Sequence, residues 1–301
     1  MGVGYLTPPP LFHFSMNRRR MAFTTLIDPS QLAEHLNDPQ WIIFDCRFTL
    51  TDTEAGRRAY HEGHIPGARY AHLDEDLSSP ITPTTGRHPL PLPELLAKKL
   101  GAWGVDETRQ VVVYDASFGA MAARLWWLLR WLGHHNVALL NGGFPRWQRE
   151  KFPITTTLPT IQAATFHTRL NAELVVGADE VERLRVDSNY RLFDARAEER
   201  FSGVVEPLDK VAGHIPGAVN LPWEDNLDYG SNFLTSEELR EHYADNLGEI
   251  VPERVIHMCG SGITACHNIL AMEHAGLYGA KLYAGSWSEW ITHPGRAVAK
   301  D

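Results

Sequence analysis

Short apolar runs and longer amphipathic stretches alternate along most of the chain. WIIFD (41–45), VVVYD (111–115) and VALL (137–140) are brief, rich in β-branched residues and lack polar alternation. Runs of this kind suit parallel strands covered on both faces. DPSQLAEHL, AARLWWLLRWLG and GADEVERLRV instead place apolar residues at helical spacing. TSEELREHYADNLG opens on a capping box, Thr235 with Glu238, and stops at Gly248. Strands alternating with helices predict an α/β architecture around a parallel sheet. Chemistry in such sheets collects at the carboxyl ends of strands, and Asp45, Asp115, Asp194 and Cys259 all fall there.

The pattern occurs twice. GHIPGA stands at 63–68 and again at 213–218, preceded by WIIFDCR in one case and YRLFDAR in the other. Asp45 lies 19 residues before His64, and Asp194 lies 20 before His214. Downstream, VVVYD matches VIHMC (255–259). Each is followed by a small-residue loop, a helical run and a Gly-aromatic turn, LLNGGFPRW or LYAGSWSEW. The offset of 150 residues between His64 and His214 is too long for a solenoid and marks a duplicated domain. EKFPITTTLPTIQ, rich in Thr and Pro, reads as the linker. The expected organisation is a domain over 22–150, a linker over 151–175 and a second domain over 176–301. Residues 1–21 differ from the rest, with a triple proline and then three arginines. A secretory signal places its charges before its apolar core, whereas here they follow it. The segment reads as a disordered extension, with Met16 and Met21 as alternative starts. A mitochondrial presequence is the other reading, from the arginines and the lack of acids.

Composition narrows the function classes. The 301 residues are 44% apolar and 22% charged, an ordinary globular balance. Against 37 acidic residues stand 28 basic ones, a formal charge of −9, which disfavours nucleic acid and anionic membranes as partners. No stretch approaches the roughly 18 apolar residues that cross a bilayer. Three cysteines, Cys46, Cys259 and Cys266, form neither a disulfide framework nor a C-x-x-C zinc pair, and the histidines show no metal spacing. No metal or cofactor is expected, and a reducing, cytoplasmic setting follows.

The halves differ where chemistry would sit: Asp115 in the first corresponds to Cys259 in the second. Cys259 ends an apolar run, and CGSGIT separates it from a helix expected from about Ala265 to Gly276. A cysteine between a strand end and a helix N-terminus faces unpaired N–H groups and the positive end of the helix dipole, which favour a thiolate over a thiol. Gly260 and Gly262 let successive N–H groups turn inward as an anion cradle. Cys46, inside FDCRF, and Cys266, a turn into the helix, read as packed. A loop of this kind serves phosphatases and arsenate reductases when an arginine follows in C-x5-R, but that position is Ala265. It also serves sulfur transfer, where N–H donors stabilise a persulfide without metal or cofactor. A non-catalytic sulfur-relay module, using the first half as a partner surface, is a third reading that the intact loop argues against.

Two tandem α/β units, GHIPGA in both and CGSGIT-AC in the second alone: over about residues 24–298 the chain resembles the two-domain rhodanese family. The resemblance implies two tandem rhodanese-like domains, each a parallel sheet flanked by helices. The first would be inactive and packed on the catalytic second, with the site in the cleft between them. It implies a sulfane sulfur carried as a cysteine persulfide from a small-molecule donor to a thiol, thioredoxin or cyanide. The CGSG loop is similar to that of the branch using 3-mercaptopyruvate; the alternative branch, thiosulfate:cyanide sulfurtransferases, usually has basic residues just after the cysteine. By resemblance Cys259 is the nucleophile, and Gly260, Ser261, Gly262, Ile263 and Thr264 form the substrate loop. Arg200 in DARAEERF matches a substrate-binding arginine. Leu208 stands where a second arginine is expected, with Lys210 as a stand-in. Ser261 and His64 match a Ser-His-acid relay whose acid would be Asp52 or Glu54. The twin of His64, His214, has no catalytic counterpart, so GHIPGA also reads as a structural turn. Asp45 and Asp194 read as fold-stabilising carboxylates, and Trp126, Trp127 and Trp131 as core.

Overall fold

The computed structural model describes residues 22–301; the segment 1–21 lies outside them. Two parallel sheets form, one in each half. The first contains β1 (Leu26–Ile27), β2 (Trp41–Asp45), β3 (Arg69–Tyr70), β4 (Gln110–Tyr114) and β5 (Val137–Leu140), in the order β1-β5-β4-β2-β3. The second contains β6 (Arg191–Asp194), β7 (Ala218–Asn220), β8 (Val255–Met258) and β9 (Lys281–Leu282), in the order β7-β6-β8-β9. The central strands β4 and β8 are buried along their whole length, as their unbroken apolar runs require. Helices flank both sheets. The helix Ser236–Leu247 has the expected capping box and ends at Gly248. DPSQLAEHL is helical only over Pro29–Ala33. VVVYD yields its last residue, because the Asp115 carboxylate turns back to accept N–H groups of the following loop.

The duplicated motif has a structural reason. At the end of β2, Asp45 holds Arg47 through both carboxylate oxygens, and the guanidinium reaches on to the Gly63 carbonyl at 2.7 Å. Asp194 and Arg196 repeat this after β6, with the Gly213 carbonyl at 2.8 Å. Each buried pair therefore fixes the start of a GHIPGA turn, which bears out the structural reading of both aspartates. The next residue is a latch. His64 stacks on Tyr60 at 4.0 Å and pairs with Thr155; His214 stacks on Phe201 at 3.9 Å and pairs with Ala299.

Residues 151–171 contain no helix or strand and run along the first half, with Ala164 bonded to Gly101 and Arg169 to Leu132. The helices Ala122–Trp131 and Thr264–His274 meet between the halves. Trp126, Trp127 and Trp131 are buried, and one apolar core runs from them to Ala265, Ile269 and Met272. Arg130 and Glu273 add a largely buried ion pair at 2.6 Å. This contact carries the 72–90 segment of the first half over the cysteine loop of the second: the Arg87 N–H donates to Ser288 Oγ at 3.0 Å.

Candidate active site

Cys259 follows β8 directly and is buried. Its N–H donates to Ser286 Oγ at 3.1 Å, and its Sγ accepts the Gly262 N–H at 3.2 Å. Gly262 has φ +75°, and a Cβ there would stand 2.3 Å from the Ala284 carbonyl oxygen, so a side chain is excluded. The helix that follows begins at Thr264. Its free N–H groups and dipole face the loop, an environment that suits an anion. A cavity of about 70 Å³ opens beside the sulfur, lined by Gly260, Ser261, Ile263 and Thr264 of the loop and by Leu50, Arg87, Met121, Arg200 and Leu208. Hollows of about 520 and 550 Å³ exist on the first half, but neither reaches a cysteine.

Two arginines, not one, overhang the loop. A Cβ on Gly260 would lie 2.8 Å from Arg87 Nη2 and 3.4 Å from Arg200 Nη1, so this glycine makes room for both. Arg200 bonds Glu206 at 2.8 Å and Asp209 at 3.2 Å, and Arg87 forms a very short ion pair with the same Asp209. Burial works against the Glu206 carboxylate, but Arg200 and the Leu208 amide outweigh it and hold the group below the usual carboxylate range. Lys210 is exposed and does not line the cavity. The second guanidinium thus comes from the first half, in TTGRHPLP, and the sequence reasoning missed it. The signal was a basic pair in a Pro/Gly-rich stretch without helical or strand periodicity.

Ser261 is brought to a histidine, but not to His64. His88 Nδ1 lies 2.7 Å from Ser261 Oγ, and His88 Nε2 lies 3.2 Å from Asp74 Oδ1. Burial lowers the His88 pKa, and Asp74 only partly offsets it; His88 in turn holds Asp74 low. His64 is fully buried away from the loop, with Nδ1 2.7 Å from the Tyr60 carbonyl oxygen and Nε2 3.2 Å from that of Thr157. Asp52 is exposed and pairs with Arg58, while Glu54 pairs with Arg57 and approaches His72. The expected grouping of Ser261 with His64 and Asp52 or Glu54 is therefore corrected: the structure brings His88 and Asp74 to Ser261 instead.

The other two thiols are sequestered. Burial pushes the Cys46 thiol well above its ordinary range, with Asp45 adding to it, and pushes Cys266 up to about 12. Cys266 donates its S–H to the Gly262 carbonyl at 3.3 Å. Among the described residues, Glu54, His72 and Glu75 show ligand-like spacing for a metal, but Arg57 already bonds both glutamates. No helix among those residues is long and apolar enough to cross a membrane.

Residues 28–150 and 177–293 each match the family model described as the rhodanese-like domain. A Pseudomonas aeruginosa protein named "Probable 3-mercaptopyruvate sulfurtransferase" is 45% identical over 281 residues, which are 93% of this chain and 99% of that one. The Mus musculus thiosulfate sulfurtransferase is 32% identical over 283 residues, covering 90% and 93%. Among solved structures, the 3-mercaptopyruvate enzyme SseA of Escherichia coli aligns with TM-score 0.76 at 33% identity, covering 89% of this chain and all of that one.

Proposed function

The chain belongs to the rhodanese-like family and is a sulfurtransferase, and from that premise we propose that it moves sulfur from 3-mercaptopyruvate to a thiol through a persulfide on Cys259. The observation that carries the choice of donor is the line Asp74–His88–Ser261 ending beside the cysteine loop. The Cys259 thiolate attacks the donor's sulfur, the S–S bond forms and the donor's C–S bond breaks, leaving the electron pair on carbon as the enolate of pyruvate. The donor's own S–H proton passes through Ser261 to His88. It returns to the enolate carbon as pyruvate leaves, so the protons balance. Burial keeps His88 neutral and ready to accept, and Asp74 steadies it once charged. Arg200 and Arg87 hold the donor carboxylate in exchange for Asp209. A thiol, a thioredoxin or cyanide then takes the outer sulfur. On this reading 22–150 is a domain that has lost its own nucleophile, 151–175 a linker and 176–301 the catalytic domain. Three free, buried cysteines fit a reducing compartment such as the cytoplasm.

Thiosulfate is a second donor with an observation in its favour, because two guanidinium groups over one loop suit a dianion. Thiosulfate leaves as sulfite and needs no proton. Ser261→Ala is therefore expected to slow transfer from mercaptopyruvate about 100-fold, the scale of a lost acid–base relay, and to leave thiosulfate within about threefold. The pH profiles separate them too. The depressed His88 stays neutral through pH 7, so mercaptopyruvate turnover holds there and falls only once pH is under the ordinary histidine value of about 6.5, at the lowered His88 pKa; thiosulfate turnover lacks that acid limb. Equal loss for both donors in Ser261→Ala would refute the relay.

A further inference from the structure

Arg124 has no place in the chemistry above, yet its surroundings are unusual. It lies on the helix Ala122–Trp131 of the first half and is fully buried. Among the described residues no carboxylate lies within ion-pair distance of it. Its Nη1 donates to the Gly262 carbonyl at 3.1 Å and its Nη2 to the His88 carbonyl at 3.0 Å, while Nε has no hydrogen-bond partner. An arginine stays charged in a protein, and a buried charge without a counterion is heavily penalised. The ionisable groups whose fields act on it are sulfurs: Cys266 first, which also hydrogen-bonds the guanidinium, and Cys259 after it. Cys266 is a thiol that donates its S–H to the Gly262 carbonyl and is pushed up to about 12, so it offers the guanidinium a hydrogen-bond acceptor and no charge. That leaves Cys259, whose Sγ is held by the N–H of the same Gly262 whose carbonyl Arg124 grips.

We propose that Arg124 is a positioning residue for sulfur transfer: its guanidinium supplies the positive charge balanced by the anionic sulfur of Cys259, and its fork ties the cysteine loop to the His88 segment. This rests on the reading of Cys259 as the sulfur carrier. It gives the first half a fourth contribution besides Arg87, His88 and Asp74, made from behind the loop rather than over it. Burial pulls the guanidinium below its ordinary range, and Cys266 first and Cys259 after it pull it part of the way back. Other groups bear on the same sulfur. Arg200 and Arg87 overhang the loop but are tied to Glu206 and Asp209; Arg196 acts from the end of β6 but is tied to Asp194; His88 acts through Ser261 and is neutral; Cys266 lies on the helix behind. Arg124 differs from the other cations in having no such carboxylate.

The test is the pH dependence of Cys259 alkylation by iodoacetamide, a neutral reagent, read by mass spectrometry of the Cys259 peptide. Arg124→Gln keeps a donor and loses the charge; its alkylation midpoint should rise by about one pH unit, a tenfold loss of thiolate at neutral pH. Arg124→Lys keeps the charge and loses the fork; its midpoint should stay within a few tenths of the parent even as its melting temperature falls. A folded Arg124→Gln with an unchanged midpoint overturns the proposal. If that variant does not fold, Arg124→Lys decides: a midpoint raised by a full unit overturns it. The parent enzyme incubated with mercaptopyruvate supplies the separate control. Failure to gain one sulfur atom on Cys259 sinks the carrier reading, whereas the Arg124 proposal is judged on the midpoints alone.

Discussion

The loop after β4 and the loop after β8 are the same device with different contents. After β8 the cradle holds a sulfur that accepts one N–H, from Gly262. After β4 the carboxylate of Asp115 fills the cradle itself. It accepts four N–H groups, from Ser117 at 2.8 Å, Gly119 at 2.9 Å, Met121 at 2.7 Å and Ala122 at 2.8 Å. Burial raises the Asp115 pKa and those amides pull it back. The frames around the two agree in detail. Phe144 N–H bonds the Asp115 carbonyl as Trp287 N–H bonds that of Cys259. Gly143 and Ser286 both take left-handed φ, +57° and +54°. Glycine adopts that backbone freely and serine does not, but serine, unlike glycine, offers the Oγ that accepts the Cys259 N–H. The cradle is thus a property of strand, loop and helix. The first half plugs it with the Asp115 carboxylate and the second leaves it to the Cys259 sulfur.

The sharpest way to break this comparison is to remove the sulfur. Cys259→Ser should abolish transfer from either donor, a loss of more than about 1,000-fold as expected for a lost covalent nucleophile. Cys46→Ser and Cys266→Ser should keep activity, since both thiols are buried and protonated. Persulfide formation, followed as one added sulfur atom by intact mass, should vanish only in Cys259→Ser. Retained turnover in that variant would falsify the carrier reading.

The comparison makes the first half inert as a cradle but not as a contributor. Arg87 and Arg200 come from different halves and share Asp209. A hydrogen bond to a charged group contributes roughly 1.5–3 kcal/mol, so Arg200→Ala and Arg87→Ala should each cost about 10–150-fold in kcat/KM for the donor half-reaction. Transfer from a preformed persulfide should be spared. Because they share one carboxylate, the two losses should not be additive. An Arg87→Ala variant with parental kcat/KM for both donors would confine substrate recognition to the second half.

Much of this was legible beforehand, and the misses share a cause. Strands β2, β4, β5, β6 and β8, the helix Ser236–Leu247 and the duplication were readable because short apolar runs, a capping box and GHIPGA are local signals. Cys259 and Arg200 were readable because CGSGIT and DARAEERF resemble strings of a known family. Arg87, His88, Asp74 and Arg124 were not. The side chains of Arg87, Arg124 and His88 reach groups of the second half 122, 138 and 173 positions away, and Asp74 acts through His88 in a segment without periodicity. His64 attracted a catalytic role because GHIPGA was the most conspicuous string available, although its twin already spoke for a turn.

That twin makes the smallest prediction the most discriminating. His64 and His214 occupy equal latches: each stacks on an aromatic ring, at 4.0 and 3.9 Å, and directs Nδ1 at the carbonyl of the same residue, Tyr60 or Phe201. Each also pairs its backbone with a segment that closes its half, through Thr155 or Ala299. A catalytic His64 would set the two apart; a structural one makes them interchangeable. His64→Phe and His214→Phe keep a ring for stacking and lose the imidazole bonds. Each net hydrogen bond contributes about 0.5–1.5 kcal/mol, so in urea melts His64→Phe, which loses two, should cost about 1–3 kcal/mol and His214→Phe, which loses one, about 0.5–1.5 kcal/mol. Both should hold kcat within about twofold of the parent for mercaptopyruvate, since neither imidazole reaches the sulfur. A hundredfold fall in kcat for a folded His64→Phe, with the kcat of His214→Phe unaffected, would return the relay to the first GHIPGA and undo the assignment to His88.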